Sequence, residues 1–263
     1  MLRYLTAGES HGELLMGIIE GMPSGVLIRV TDIDRDLARR QTGYGRGGRM
    51  KIEKDTVKIF TGVRWGRALG SPIGLMIRNK DWENWRGKMS PDPMFLNTAS
   101  PVTRPRPGHA DLPGALKYGM SDILNILERS SARETAMRVA VGAVAKRLLE
   151  EFGIEVISHV LNIGGVFAKV GNMSPVVIKK KAETSELRCA DTDAEKRMMK
   201  KIDEAKRDGD SLGGIFEVII TGAPVGLGSH AHSDRKLDGR LAAALMSIQA
   251  IKGVEVGSGF GVA

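Results

Sequence analysis

The stretch GIIEGMPSG at residues 17–25 has a counterpart in VIITGAPVG at residues 218–226. In each, an apolar run typical of a strand is closed by a turn of the form glycine–x–proline–x–glycine. Further along, DRDLARR at 34–40 resembles DRKLDGR at 234–240, in the same order. The two copies predict a duplicated strand–turn–helix unit and a pseudo-twofold core. Chance similarity between short segments is the alternative interpretation.

Apolar periodicity predicts further strands and helices around this repeat. Strands are predicted at 15–20, 26–30, 50–60, 73–77 and 216–221, and helices at 32–40, 116–127, 132–151, 192–207 and 240–251. The longest helix, 132–151, begins with a capping box in which Ser131 precedes Glu134 by three positions. Residues 81–107 have no clear period and are predicted to form an excursion or lid-like loop.

The composition excludes several classes of protein. The 263 residues carry 39 Lys and Arg against 31 Asp and Glu, a net charge of +8, and 42% are apolar, which is typical of a globular chain. A single cysteine, Cys189, excludes an intramolecular disulfide framework and fits a reducing cytoplasm. The sequence has neither a signal-type N-terminus nor an apolar run of the roughly 18 residues that a membrane helix needs. We therefore expect a cytoplasmic protein.

Two glycine-rich segments contain candidate functional residues. In GESHG at 8–12, the glycines allow a ligand close to the backbone, and His11 is a candidate proton donor. The alternative is a turn whose serine and histidine satisfy local backbone groups. Between Arg39 and Arg49, four arginines alternate with glycines, which favours a loop around a small anion. A solvated basic loop and nucleic-acid binding are the alternatives, and the low aromatic content (5%) does not favour nucleic acid.

Two further segments have rigid or helix-terminal character. In RPRPGHAD at 104–111, a proline and a glycine fix a turn before His109, where Asp111 would orient the ring and Arg106 would hold an anion. RSSARET at 129–135 starts the long helix, whose unpaired N–H groups, hydroxyls and arginines favour a phosphate-type site. A surface turn and ordinary capping are the respective alternatives. His230 and His232 lack a third ligand nearby, so no metal site is predicted.

Five of these motifs together closely resemble chorismate synthases. They are GESHG (8–12), the arginine–glycine loop (39–49), RPGHAD (106–111), ERSSARET (128–135) and MSIQAIKGVE (246–255). The resemblance runs from the first residue to the last. It implies an α+β fold, a β-α-β sandwich with a central helical layer, in a single domain over residues 1–263. It also implies a homotetramer, and the internal repeat is compatible with such a pseudo-symmetric core.

The resemblance implies a lyase of the shikimate pathway, which supplies aromatic amino acids. Members of the family convert 5-enolpyruvylshikimate 3-phosphate to chorismate and phosphate by anti-1,4-elimination, and they require reduced FMN without net redox change. The matching catalytic residues are His11, which would protonate the leaving phosphate, and His109, which would protonate or stabilise reduced flavin. The substrate-binding matches are Ser10, Arg40, Arg46, Arg49, Arg106 and Arg133. The flavin-binding matches are Arg129, Ser130, Ser131, Gln249 and Ala250.

One residue departs from the family pattern, and the source of reducing equivalents needs separate interpretation. Asparagine is common in the family where Gln249 stands, and glutamine keeps the amide. NADPH has been placed at the positions of Arg40 and Arg46; we interpret these as substrate-binding and keep NADPH as an indirect reductant. The chain has no dinucleotide fingerprint after a strand, so a separate flavin reductase is expected.

The family continues beyond the GSGF segment at 257–260, whereas this chain stops at Ala263. The resemblance therefore implies that a C-terminal part with further flavin and catalytic residues is missing. The alternative function is a catalytically inactive fragment that binds FMN or anions. A basic RNA-binding protein is a third interpretation, which would show steep salt dependence.

Overall fold

The computed structural model describes residues 2–46, 53–96 and 98–262. It divides into two compact units, one up to Thr221 and one from Gly222 onward. The single domain implied by the resemblance stays a prediction. Within the described residues, none of the helices is both long and apolar enough to cross a membrane.

The first unit contains a four-stranded antiparallel sheet in the order β1-β2-β6-β3. The strands of the first half of the chain are β1 (Arg3–Ala7), β2 (Leu14–Glu20), β3 (Val57–Thr61), β4 (Val63–Arg64), β5 (Arg67–Ala68) and β6 (Ile73–Arg78). Side chains alternate between the two faces of a strand, and β2 accordingly buries Leu15, Gly17 and Ile19. The buried face packs against helices.

Two helices cover that face, α1 (Val30–Gln41) and, numbering the helices in chain order, α5 (Thr135–Glu151). The other helices are α2 (Trp82–Met89), α3 (Asp111–Tyr118), α4 (Leu124–Ser130), α6 (Pro175–Thr184), α7 (Thr192–Asp208) and α8 (Leu237–Met246). Ile33 and Leu37 of α1 and Met137 of α5 are fully buried in the shared core. A Cβ on Gly17 would lie 2.7 Å from Met137 Sδ, so the glycine lets α5 approach the sheet closely.

Strands β4 and β5 form a two-stranded antiparallel sheet, and a three-stranded sheet follows α5 in the order β8-β7-β9. Its strands are β7 (Glu155–Ile163), β8 (Val166–Phe167) and β9 (Gly214–Thr221). Helix α7 packs here through Ala194 and Met198, in a small core that includes Cys189. Helices interspersed with separate antiparallel sheets make this an α+β protein, as the sequence predicts.

Several local predictions need correction. Residues 26–30 form no strand, because Leu27 alone makes a bridge, to Arg67. The helix predicted at 116–127 is two helices, since Gly119 takes the left-handed conformation (φ 63°) at the end of α3. The first turn of the helix predicted at 132–151 is a 3₁₀ turn, Ala132–Glu134. The excursion at 81–107 contains α2 and a 3₁₀ turn, Pro93–Phe95. Of the strand predicted at 50–60, residues 50–52 lie outside the described residues, and β3 begins at Val57.

The two copies of the repeat share their local backbone. Each strand ends one residue before a glycine of positive φ, 87° at Gly21 and 73° at Gly222. The last glycines of the two turns, Gly25 and Gly226, also match, at 88° and 96°. A helix follows each turn, α1 in one copy and α8 in the other. The predicted strand–turn–helix order is therefore present twice.

Candidate active site

The GESHG loop joins β1 to β2 and is held by a buried asparagine. Asn79 Nδ2 donates to the carbonyls of Glu9 (3.1 Å) and Gly12 (2.7 Å). Gly8 has φ 105°, and a Cβ there would lie 2.4 Å from the carbonyl oxygen of Leu14. The loop therefore depends on glycine at its start and on a side chain 67 positions away at its end.

The imidazole of His11 contacts a carboxylate and an indole. Its Nδ1 lies 2.7 Å from Oε1 of Glu128, a residue of α4 whose carboxylate is buried. Its ring stacks on Trp85 of α2, with centroids 3.8 Å apart and an interplanar angle of 19°. Sequence analysis assigned no role to Glu128 or Trp85.

The histidine loop meets the start of α5 at a pair of serines. Ser10 is buried, and its Oγ donates to Oγ of Ser131 at 3.0 Å. Ser131 Oγ also accepts from the backbone N–H of Arg133, which caps the 3₁₀ turn that leads into α5. Two segments that the sequence analysis singled out separately therefore share one site.

The other residues predicted to bind cofactor at this place contact the backbone. Arg129 donates to the carbonyls of Thr6 (2.9 Å) and Gly8 (3.2 Å), which ties α4 to the end of β1. Ser130 Oγ donates to the carbonyl of Ile126 at 2.6 Å, within its own helix. Their predicted role in flavin binding stays a prediction.

Of the predicted arginine cluster, Arg40 belongs to α1, and its side chain reaches the start of α5. Its guanidinium donates to the carbonyl of Ala132 (3.1 Å) and to Thr135 Oγ1 (3.0 Å). Arg46 Nη1 donates to the carbonyl of Arg40 at 2.5 Å. The side chain of Arg39 instead forms an ion pair with Glu183 and donates a hydrogen bond to Ser158 Oγ. Arg49, also predicted to bind substrate, lies outside the described residues.

The side chain of Arg133 is buried at the start of α5. Its Nη1 donates to both carboxylate oxygens of Asp55, at 2.7 and 2.9 Å, and its Nε donates to Asn79 Oδ1 at 2.9 Å. Arg133 thus connects the start of α5 to the asparagine that holds the histidine loop. Its predicted contact with substrate stays a prediction.

His109, Arg106 and Asp111 form a compact cluster. His109 Nδ1 contacts the fully buried carboxylate of Asp111, which also accepts from the backbone N–H (2.8 Å) and Nε (3.2 Å) of Arg106. Burial by itself would raise the pKa of the Asp111 carboxyl. Hydrogen bonds from Arg106 and His109 outweigh burial and hold that pKa below its ordinary value. A carboxylate that stays ionised suits the orientation of an imidazole.

The second unit contains Gln249 and Ala250, just after α8. Ala250 has φ 68°, which is the left-handed region that non-glycine residues seldom adopt. His232 Nδ1 contacts Asp234 Oδ1 at 2.7 Å. Nowhere in the described ranges do three or more His, Cys, Asp or Glu side chains gather as a metal site.

Fold and site together define an α+β protein with a histidine- and arginine-rich candidate active site suited to an anionic ligand. The family model for chorismate synthase matches residues 2–263. A chorismate synthase of Pelobacter propionicus is 63% identical over 260 residues, 99% of this chain and 66% of that protein. One of Alkaliphilus metalliredigens is 60% identical over 262 residues, 99% of this chain and 68% of that protein.

A solved crystal structure of chorismate synthase matches with a TM-score of 0.83 and 46% identity, over 99% of this chain and 70% of that one. The chain belongs to the chorismate synthase family. It spans about two thirds of the length of the curated relatives that it matches.

Proposed function

We propose that this chain is a lyase that converts 5-enolpyruvylshikimate 3-phosphate to chorismate and phosphate, within the shikimate pathway of aromatic amino-acid biosynthesis. The observation that carries the proposal is the hydrogen bond between Ser10 and Ser131. It joins a loop whose histidine has a buried carboxylate partner to a helix start lined by arginine. Family membership supports the reaction, and this junction supports the location of the site.

The substrate carries a phosphate and two carboxylates, so its binding requires several cationic or N–H donors. In this proposal Arg40, Arg46, Arg49 and Arg106, together with Ser10, bind these anions. The guanidinium fork suits both carboxylate and phosphate. The start of α5 adds the positive end of a helix dipole. Arg133 contributes to the site chiefly by fixing the positions of Asp55 and Asn79 through hydrogen bonds.

The elimination breaks the carbon–oxygen bond to phosphate and transfers a ring proton to a base, while the electron pair of the broken C–H bond becomes part of the new diene. We assign this base to none of the described residues. Phosphate leaves with the electrons of the broken bond. His11 donates a proton to this leaving group, which lowers its charge as it departs. His109, whose ring Asp111 orients, would protonate or stabilise reduced flavin when it is bound, in keeping with the family.

The residues at the start of α5 fit an anionic cofactor such as FMN. The hydroxyls of Ser131 and Thr135 lie at the start of a 17-residue helix. Arg129, Ser130 and Ser131 would hold FMN there. The family resemblance also assigns flavin binding to Gln249 and Ala250. When bound, reduced FMN supplies the electron-rich ring that the family's elimination requires. NADPH as the indirect reductant, a separate flavin reductase, a homotetramer and a cytoplasmic location are part of the same proposal.

Anaerobic release of phosphate tests the proposal. The chain is mixed with chemically reduced FMN and substrate, beside His11→Ala and the control His232→Ala, whose side chain is exposed. We expect release by the parent and the control and a loss of about 100-fold or more for His11→Ala, the usual contribution of a general acid. Equal release by the two variants would count against His11 as the proton donor.

A second candidate is a fragment that binds FMN and anions without turnover. One observation favours it: in the part of the second unit that the structure describes, 222–262, every residue is at least partly exposed, although Gln249 and Ala250 lie there. Under this alternative, FMN binds and no phosphate is released. Fluorescence titration of FMN beside the phosphate assay separates the two functions.

A further inference from the structure

Glu128 contacts the histidine loop at three points. Its backbone carbonyl accepts from the N–H of Ser10 at 3.0 Å. Its Oε2 accepts from the backbone N–H of His11 at 2.5 Å, and its Oε1 lies 2.7 Å from His11 Nδ1. The side chain is 2% exposed, so water does not compete for the carboxylate. One buried residue thus fixes both the backbone and the ring of His11.

The two carboxylate contacts together determine the proton on the ring. A backbone N–H is a donor in every state, so Oε2 must accept from it. Oε1 of the same ionised carboxylate is also an acceptor, so the favoured partner at Nδ1 is an N–H. Neutral His11 therefore carries its proton on Nδ1, and Nε2 is the nitrogen that exchanges protons with a ligand.

Trp85 fixes the plane of the His11 imidazole ring. Its indole stacks on the imidazole at 3.8 Å, and its own N–H donates to Asp81 Oδ2 at 3.0 Å. Because the indole is anchored, it restricts rotation of the imidazole and covers one of its faces. Helix α2, within the segment predicted as a lid-like loop, thus contributes one wall of the site.

We infer that Glu128 is a positioning residue that holds His11 in the Nδ1–H tautomer and directs Nε2 to the leaving group, with Trp85 fixing the plane of the ring. The part that concerns the leaving group rests on the proposed function. The tautomer does not, because it follows from contacts within the chain.

Two-bond ¹H–¹⁵N NMR of the chain labelled at its histidine nitrogens tests the inference. The chain has five histidines, and the His11→Ala spectrum identifies the signals of His11. Spectra recorded on the neutral ring should show a pyrrole-type Nδ1 and a pyridine-type Nε2. We expect the Nδ1–H form to exceed the other by about tenfold or more, since the hydrogen bond is to a charged group. A His11 that is mainly Nε2–H in the unaltered chain would overturn the inference.

Glu128→Gln gives a sharper comparison. The amide oxygen continues to accept from the backbone N–H of His11, so the NH₂ group faces Nδ1 and donates to it. The ring should then switch to the Nε2–H form, whereas Glu128→Asp and Trp85→Phe should keep the Nδ1–H form. If the variant folds, as unchanged signals of the other four histidines would indicate, an unaltered tautomer at His11 contradicts the inference. If Glu128→Gln does not fold, the test rests on the unaltered chain and on Glu128→Asp. A His11 ring that is mainly Nε2–H in both would contradict the inference. None of these readouts needs turnover, so the result is independent of the phosphate assay.

Discussion

Arg133 and Asp55 form a buried ion pair in which one guanidinium nitrogen, Nη1, lies 2.7 and 2.9 Å from the two carboxylate oxygens. The side chains are 5% and 0% exposed. The pair links the start of α5 to the segment before β3, and Asn79 extends it to the histidine loop. A residue that resembles a substrate ligand by its motif is therefore part of the support beneath the site.

Removal of Arg133 should destabilise the whole chain. Arg133→Ala removes both hydrogen bonds from Arg133 to the buried Asp55 and leaves the longer ion pair of Asp55 with Arg40, at 3.5 Å, so we expect the free energy of unfolding to fall by about 1.5–3 kcal/mol. Arg3→Ala, on the exposed side of β1, is the control and should change it by less than about 0.5 kcal/mol. Urea denaturation near neutral pH measures both. If the two variants unfold at the same urea concentration, Arg133 does not support the fold as proposed.

Gly8 should tolerate alanine much less well than Gly25. Both have positive φ, 105° and 88°, so alanine is strained at each, by about 1–2 kcal/mol. Nothing lies within 4 Å of a Cβ at Gly25, whereas one at Gly8 meets the Leu14 carbonyl oxygen at 2.4 Å. We expect Gly8→Ala to lose about 1–3 kcal/mol more than Gly25→Ala, the usual cost of overpacking. Equal midpoints in thermal or urea unfolding would show that the loop adapts.

Asp191 should make the stability depend on acid pH. Hydrogen bonds from the amides of Lys169 and Ala194 hold the pKa of its carboxylate below the ordinary value, and they are lost when it is protonated. A lowered pKa in the folded state gives stability that is complete above the unfolded pKa of about 3.9 and is lost as pH falls through the folded value. Asp191→Asn lacks this charge at every pH. The difference in unfolding free energy between parent and variant should therefore be constant above about pH 5 and shrink below pH 4. A difference that grows on acidification would contradict this assignment.

Local signals explain which parts of the fold could be predicted from the sequence. The helix predicted at 192–207 is present as Thr192–Asp208, because Asp191 caps its start and Gly209 ends it in the left-handed conformation. Residues 26–30 have the same apolar character as a strand, but Val26 and Ile28 are buried without forming one. The backbone of residues 25–28 pairs with residues 66–68 through three hydrogen bonds and one bridge, at Leu27, a pairing too short to form a strand. A single sequence does not show how far such a pairing extends.

The candidate site likewise combines residues that local motifs indicate with residues that only long-range packing brings together. The glycine loop at 8–12 and the capping serine, Ser131, are contiguous motifs, so the sequence alone could indicate them. Glu128 lies 117 positions from His11, and Asn79 lies 67 positions from Gly12. Their roles arise from packing between distant elements, which no spacing along the chain reveals. Glu128 had one available signal, its position directly before the RSSARET motif.

The central claim, that this chain catalyses the elimination, is tested most directly by product stoichiometry. The chain would be incubated anaerobically with 5-enolpyruvylshikimate 3-phosphate and reduced FMN, and chorismate and phosphate would be quantified together with the flavin's oxidation state. We predict equal amounts of chorismate and phosphate, flavin that is still reduced at the end, and neither product with oxidised FMN. No chorismate at saturating substrate and reduced FMN, from chain that binds the flavin, would contradict the claim and favour the binding fragment.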